Sequence, residues 1–209
     1  MIRIGRVTFP GEGWTRHVAL GTRNSWDSWD KSDTCMDDTG FGKNDVELLG
    51  RLSNLPSEER KFLRMMPMLV DISATFTWWK QFDTYKVGTV SNSCSTGHTL
   101  LKRPISEKDF TDMPIEVGEV ALDVIIDSLN GLRERWKATD DPKLKKQIEA
   151  TIFTLLPMGY MQKRTICLNY EVLKNIYRQR RGHKLQDWKD FCLWIETLPY
   201  FSEFIAPKC

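Results

Sequence analysis

Basic side chains cluster between residues 163 and 184, where Glu171 is the one acid. The basic residues of this segment are Lys163, Arg164, Lys174, Arg178, Arg180, Arg181 and Lys184. On a helix, Arg180 would project beside the apolar residues and away from the face that Lys174 and Arg178 share. A guanidinium in that position can reach into a cleft, where its planar fork binds a phosphate, a carboxylate or a developing enolate. The alternative is a solvated basic face that complements the negative end of the helix dipole.

A second segment with possible chemistry runs from 78 to 98 and combines hydroxyl, amide and aromatic side chains around Gly88. Glycine lets the backbone approach a ligand closely. Gln81 and Asn92 can donate to phosphate or carbonyl oxygens, and Tyr85 can stack on a planar ring. The alternative interpretation is a polar hairpin loop beside aromatic core residues.

Cysteine and histidine give weaker signals. Cys94 can be a nucleophile, but the sequence assigns it no base, and a structural thiol is the alternative. The cysteines are Cys35, Cys94, Cys167, Cys192 and Cys209. Their odd number and the absence of CxxC spacing predict reduced thiols. Three widely separated histidines do not predict a metal site.

Length and charge narrow the class of protein. The chain has 209 residues, a length typical of one domain, and we expect a single domain over 1–209. Its net charge of +2 offers little non-specific attraction for nucleic acid, which we do not expect as a partner. No apolar run approaches the roughly 18 residues of a membrane span. Charges interrupt the first residues before a signal-peptide core can form, so we expect a cytoplasmic protein without a membrane partner.

The hydrophobic pattern predicts the elements that position these segments. We expect a short strand over 2–9 and helices over 44–52, 57–66, 117–136, 142–156, 168–182 and 188–199. Residues 68–80 fit either a strand or a buried helix, and 84–99 fit a loop or a strand. The predicted fold is α+β, with a central antiparallel sheet flanked by helices and a helix-rich C-terminal half.

Together, these segments resemble the flavin-dependent thymidylate synthases. That family has a Leu-Pro pair, an Asn about a turn into the next helix, Leu, Asn and Arg along it, and then a Gln. Residues at similar spacings here are Leu156, Pro157, Asn169, Leu173, Asn175, Arg180 and Gln186. Gln81 stands where the family has a Gln before its signature loop, and His183 lies about one position from a family His. The match spans about 18–198, beginning with an Arg-x-Ser-like stretch at 23–25, and is strong over 155–188.

The signature loop departs from the family pattern, which begins Arg-His-Arg and continues with Ser, Asn-Glu, Ser and Arg-Tyr. In the same register this chain has Thr84, Tyr85, Lys86, Thr89, Ser91, Asn92, Cys94, Thr96 and Gly97. Phe153 and Glu171 also replace family arginines, on the phosphate and flavin sides. Most charge-assisted phosphate contacts are therefore missing unless Lys163, Arg164 or the basic pair at 102–103 replaces them.

The resemblance implies a homotetramer with active sites at subunit interfaces. It implies an enzyme that binds FAD, reduces it with NADPH, and moves a one-carbon unit from methylenetetrahydrofolate to dUMP or a related pyrimidine nucleotide. Arg180 would be catalytic, polarising the pyrimidine electrostatically without an enzyme nucleophile. The implied substrate-binding residues are Gln81, Lys86, Asn92 and Cys94, and the implied flavin-binding residues are Tyr85, Asn169, Asn175 and His183.

Three hypotheses remain open. The first is a divergent, phage-type enzyme of this family. The second is a catalytically inactive nucleotide- or flavin-binding homologue with a structural role, which the altered loop favours. The third is a nucleic-acid binder that uses 163–184 with its interleaved tyrosines, and the small net charge argues against it.

Overall fold

A computed structural model describes residues 1–207. The helices are α1 (Trp14–Arg23), α2 (Lys43–Leu52), α3 (Phe76–Phe82), α4 (Thr96–Thr99), α5 (Glu116–Ala138), α6 (Pro142–Leu155), α7 (Tyr170–Arg180) and α8 (Gln186–Glu196). The strands are β1 (Arg3–Thr8), β2 (Pro67–Thr75), β3 (Val90–Ser93) and β4 (Met161–Asn169). They form an antiparallel sheet in the order β1-β2-β4-β3, flanked by helices, and the C-terminal half is rich in helix. The predicted α+β class is therefore confirmed.

The chain forms two compact units, and each of the four strands contributes residues to both. Among the described residues, unit 1 comprises 1–3, 72–84 and 92–164, and unit 2 comprises 4–71, 85–91 and 165–207. No helix within residues 1–207 is long and apolar enough to cross a membrane.

Unit 1 is built around the hairpin of α5 and α6. Its core includes Leu122, Ile126 and Leu129 of α5 with Ile148 and Ile152 of α6. The predicted start of α6 is confirmed, because Asp141 accepts a hydrogen bond from the Lys143 amide at 2.9 Å and Pro142 follows as the first helical residue.

Unit 2 contains α1, α2, α7 and α8. An ion pair between Arg23, at the end of α1, and Asp45, in the first turn of α2, is buried, and the two atoms lie 2.7 Å apart. Burial pushes the pKa of Asp45 upward, but hydrogen bonds from Thr34, Ser32 and Arg23 outweigh it and hold the pKa below its ordinary value.

One predicted helix is wrong, and one strand is missed. The sequence predicts a helix over 57–66, but the structure has a short 3₁₀ turn over Lys61–Met65, because Pro67 disfavours helical geometry at Met66 and begins β2. The helix predicted over 168–182 is present as α7 but begins at Tyr170, because the missed strand β4 occupies 161–169. The ambiguous stretch 68–80 contains both a strand and a helix, since β2 ends at Thr75 and α3 begins at Phe76.

Candidate functional site

The candidate site in unit 2 is built on the passage from β4 into α7. Asn169 caps the helix, with its side-chain oxygen accepting from the Val172 amide at 3.1 Å. In the first turn, the Glu171 carboxylate accepts from both Nε and Nη2 of Arg60 at 3.0–3.1 Å. The negative charge that the sequence places at Glu171 is therefore paired with a guanidinium.

The segment 85–91 of unit 2 lies close against this helix start. Gly88 has φ of +85°, in the left-handed region. A Cβ at this position would lie 3.1 Å from Val172 Cγ2 and 3.4 Å from Asn169 Nδ2. Both the backbone angle and the limited space therefore favour glycine at this position.

Replacing Gly88 by alanine should destabilise the protein by about 1–2 kcal/mol, because the new Cβ meets α7 and the backbone angle is strained. Urea unfolding measures this loss. Gly182→Ala is the matched control, since a Cβ there meets nothing within 4 Å. Equal stability of both variants would contradict this account of Gly88.

Arg180, at the end of α7, is held by Tyr85. The Arg180 Nε donates to the Tyr85 hydroxyl at 2.8 Å, and that hydroxyl donates to Gln179 Oε1 at 3.0 Å. Gln179 Nε2 in turn donates to Asn175 Oδ1 at 2.9 Å. The structure thus connects three of the residues predicted for the site, Tyr85, Asn175 and Arg180, in one hydrogen-bonded chain.

Aromatic rings complete the surroundings of Arg180. Its guanidinium carbon lies 4.7 Å from the centre of the Trp188 ring, within cation–π distance. His183 contacts the same ring edge-on, with 6.3 Å between ring centres. No carboxylate pairs with Arg180 within residues 1–207. Its charge instead contacts the Tyr85 hydroxyl and the rings of Tyr85 and Trp188.

His183 is a neutral hydrogen-bonding group in this environment. Burial and the positive charges of Arg180 and Lys184 lower its pKa. Its Nδ1 accepts from the Leu185 amide at 3.2 Å, so the neutral ring carries its proton on Nε2. His183 can therefore donate to a ligand near neutral pH.

The remaining predicted substrate ligands are exposed or belong to unit 1. Lys86 of unit 2 is exposed. In unit 1, Gln81 is half-buried on α3, while Asn92 of β3 and Cys94 are exposed. The Cys94 thiol lies 3.7 Å from Thr99 Oγ1, and its carbonyl accepts from Gln162 Nε2 at 3.0 Å.

Two of the four basic residues considered as replacement phosphate ligands are engaged elsewhere in unit 1. Arg164 pairs with Asp83 at 2.9 Å and lies over the Trp79 ring at 4.3 Å. Arg103 forms an ion pair with Asp109.

The described thiols differ in exposure. Cys35, Cys94, Cys167 and Cys192 are free, while Cys209 lies outside the described residues. Burial raises the pKa of Cys192 to about 11, which makes this thiol unreactive. Within residues 1–207 there is no group of three His, Cys, Asp or Glu side chains that could hold a metal ion.

Unit 2 also has a cavity of about 540 Å³ between α1, α2 and the 3₁₀ turn over Lys61–Met65. Trp26, which is 86% exposed, borders it together with Lys31, Leu48, Leu52 and Phe62. Its volume is in the range of small-molecule sites.

Sequence reasoning misses three residues of the candidate site. The apolar pattern assigns Trp188 to a helix stripe, and nothing in the sequence singles out Gln179. Arg60 pairs with Glu171 across 111 positions, a contact that local patterns do not reveal.

Comparisons with known proteins identify solved structures that share this fold. No protein-family model matches the chain, and no curated protein matches it in sequence. Crystal structures of thymidylate synthase X from Helicobacter pylori with FAD and dUMP are similar to it. One superposes with a TM-score of 0.70 at 16% identity, covering 98% of this chain and 96% of the other. A second, described as a flavin-dependent thymidylate synthase complexed with FAD and dUMP, gives 0.67 at 16% identity, covering 98% and 97%. The chain therefore has the fold of a flavin-dependent thymidylate synthase.

Proposed function

We propose that this protein is a divergent enzyme of the flavin-dependent thymidylate synthase type. It would transfer a one-carbon unit to C5 of a pyrimidine deoxynucleotide, either dUMP or a related nucleotide. The observation that carries the proposal is Arg180, a guanidinium without a carboxylate partner in residues 1–207, held in a fixed direction on this fold. Such a group can stabilise negative charge that develops on a pyrimidine ring.

The residues around α7 suit an anionic, ring-bearing cofactor such as FAD. The proposed flavin ligands Asn169, Asn175 and His183 carry neutral donor groups. The one acid on α7, Glu171, is paired with Arg60. The cavity beside Trp26 offers unit 2 additional room for a bound molecule.

When bound, FAD would carry the electrons that NADPH supplies and that the transferred carbon needs to become a methyl group. The chain's own residues would bind and orient the reactants. We infer that Gln81, Lys86, Asn92 and Cys94 contact the nucleotide, that methylenetetrahydrofolate is the donor, and that the enzyme is a homotetramer.

The visible absorbance spectrum of the purified protein tests this function first. The protein is mixed with excess FAD and passed through gel filtration, and we expect a flavin band to remain with it. Addition of dUMP or dCMP should then perturb that band, and turnover with NADPH and methylenetetrahydrofolate should follow. Absence of a flavin band at high FAD would contradict the proposed enzyme.

Two substitutions at Asn169 distinguish a role in flavin binding from a role in helix capping. Asn169→Ala should weaken flavin retention and also cost about 1 kcal/mol of stability, because the cap to Val172 is lost. Asn169→Asp is the matched control, since a carboxylate keeps the cap but lacks the amide donor. Weak flavin retention by both variants would show that the Asn169 amide contacts the cofactor. Normal retention by the aspartate variant would show that Asn169 only caps the helix.

A second candidate function is a catalytically inactive flavin- or nucleotide-binding homologue. Burial of Tyr85 favours it, because the residue is 7% exposed and its hydroxyl is already hydrogen-bonded to Gln179 and Arg180. Retained flavin with no turnover of dUMP or dCMP would support this alternative.

A further inference from the structure

We propose that Tyr85 is a positioning residue for Arg180 and selects the edge of the guanidinium that meets the ligand. This inference rests on the proposed function, in which Arg180 binds the pyrimidine. It assigns Tyr85 to the arginine, in addition to the contact with flavin that the resemblance implies.

The hydrogen-bonded chain has one consistent direction. Gln179 Nε2 donates a hydrogen bond to Asn175 Oδ1, so Gln179 Oε1 faces Tyr85 and accepts the hydrogen bond that its hydroxyl donates. The hydroxyl oxygen is then left as an acceptor, which Arg180 Nε uses at 2.8 Å. Hydrogen bonds linked in this way strengthen one another.

Tyr85 is itself fixed by its surroundings. Its ring packs edge-on against Trp188, with 6.1 Å between ring centres and an angle of 69° between ring planes. Trp188 is fully buried in the core of unit 2. The hydroxyl therefore has a defined position, and its hydrogen bond with Arg180 Nε orients the guanidinium.

The consequence for a ligand follows from the shape of the guanidinium, which can bind side-on through Nε and one Nη, or end-on through both Nη atoms. Tyr85 occupies Nε, so a ligand meets Arg180 end-on. That edge matches two neighbouring acceptor atoms such as N3 and O2 of a cytosine ring; in a uracil ring, whose N3–H is a donor, it meets a carbonyl oxygen.

Tyr85→Phe tests the role because it keeps the ring and removes only the hydroxyl. We expect dUMP affinity, measured by calorimetry on the FAD-loaded protein, to fall about 5- to 10-fold, the effect of one hydrogen bond. Tyr177→Phe is the matched control. It also removes one hydroxyl on α7, but that hydroxyl donates to Glu196 at 2.8 Å and not to Arg180. The control should leave dUMP affinity unchanged.

A double-mutant cycle separates positioning from general stability. If Tyr85 acts through the arginine, Tyr85→Phe should weaken dUMP binding in the native background and add nothing to Arg180→Ala. Equal, additive losses in both backgrounds would overturn the proposal, as would unchanged affinity in the single Tyr85→Phe variant.

The Nε–H resonance of Arg180 in an NMR spectrum tests the contact without any ligand. Arg180→Lys assigns the signal by removing it, and Tyr85→Phe should shift it and speed its exchange with water, whereas Tyr177→Phe should not. An unshifted signal overturns the proposal whatever the protein binds. If the native protein binds neither dUMP nor dCMP, the proposed function is contradicted, and the NMR result alone then decides whether Tyr85 positions Arg180.

Discussion

Replacing Arg180 by alanine should lower turnover of the pyrimidine nucleotide by at least about 10²-fold, the effect of removing one group that stabilises developing charge. Arg180 has no carboxylate partner in residues 1–207, and its contacts are the Tyr85 hydroxyl and two aromatic rings. Removing it therefore leaves no buried acid without a counter-charge, and the fold and flavin content should persist.

Two controls define the result. Arg181→Ala removes the same charge one residue later, on the exposed face of the basic segment, and should retain turnover. Arg180→Lys keeps a positive charge but loses the planar fork, so it should remain far below the native rate. The measurement is single-turnover transfer to dUMP, with the flavin spectrum recorded on each variant. Native turnover by Arg180→Ala would refute the assignment of Arg180.

The helical period alone places Arg180 correctly beside the apolar stripe of its helix. Positions three and four apart share a face, so the spacing of the basic residues is enough to distinguish Arg180 from its solvent-facing neighbours. What the arginine touches cannot be predicted in this way. Tyr85 lies 95 positions earlier in the sequence, and only tertiary folding brings it to the guanidinium.

Strand β4 shows a second limit of sequence reasoning. Residues 161–169 mix basic, polar and apolar side chains, and buried side chains alternate with partly buried ones only around Ile166 and Leu168, a run too short to predict a strand. In the sheet, β4 lies between β2 and β3, so its conformation depends on pairing with distant segments and not on local preference. The helix caps at Asp141 and Asn169 are local interactions; the sequence identifies Asp141 as a cap, but it places the start of α7 too early.

Replacing Asp45 should strongly destabilise unit 2. Its Oδ1 accepts from Arg23 Nε at 2.7 Å, and its Oδ2 accepts from the hydroxyls of Ser32 and Thr34 at 2.7 and 2.6 Å. Asp45→Asn leaves the buried guanidinium without its counter-charge, a change that typically costs about 3–5 kcal/mol. That loss is a large part of the roughly 5–15 kcal/mol that stabilises an ordinary domain.

Glu47, on the same helix α2, provides the control. Glu47 pairs with Arg51 at 3.4 Å, and both side chains are more than 60% exposed. Glu47→Gln should therefore cost less than about 1 kcal/mol in the same urea unfolding measurement. Matching losses for the two variants would contradict a special role for the buried pair.

The pH dependence gives an independent check on Asp45. Its pKa in the folded protein lies below the ordinary value of 3.8, so the ionised carboxylate is bound more tightly in the folded than in the unfolded chain. This contribution to stability is fully present above the ordinary pKa and is lost as the pH falls through the folded value. The difference in unfolding free energy between native protein and Asp45→Asn should therefore be constant near neutral pH and shrink below about pH 4. A difference that stays constant down to about pH 2 would show that the carboxylate charge does not stabilise unit 2.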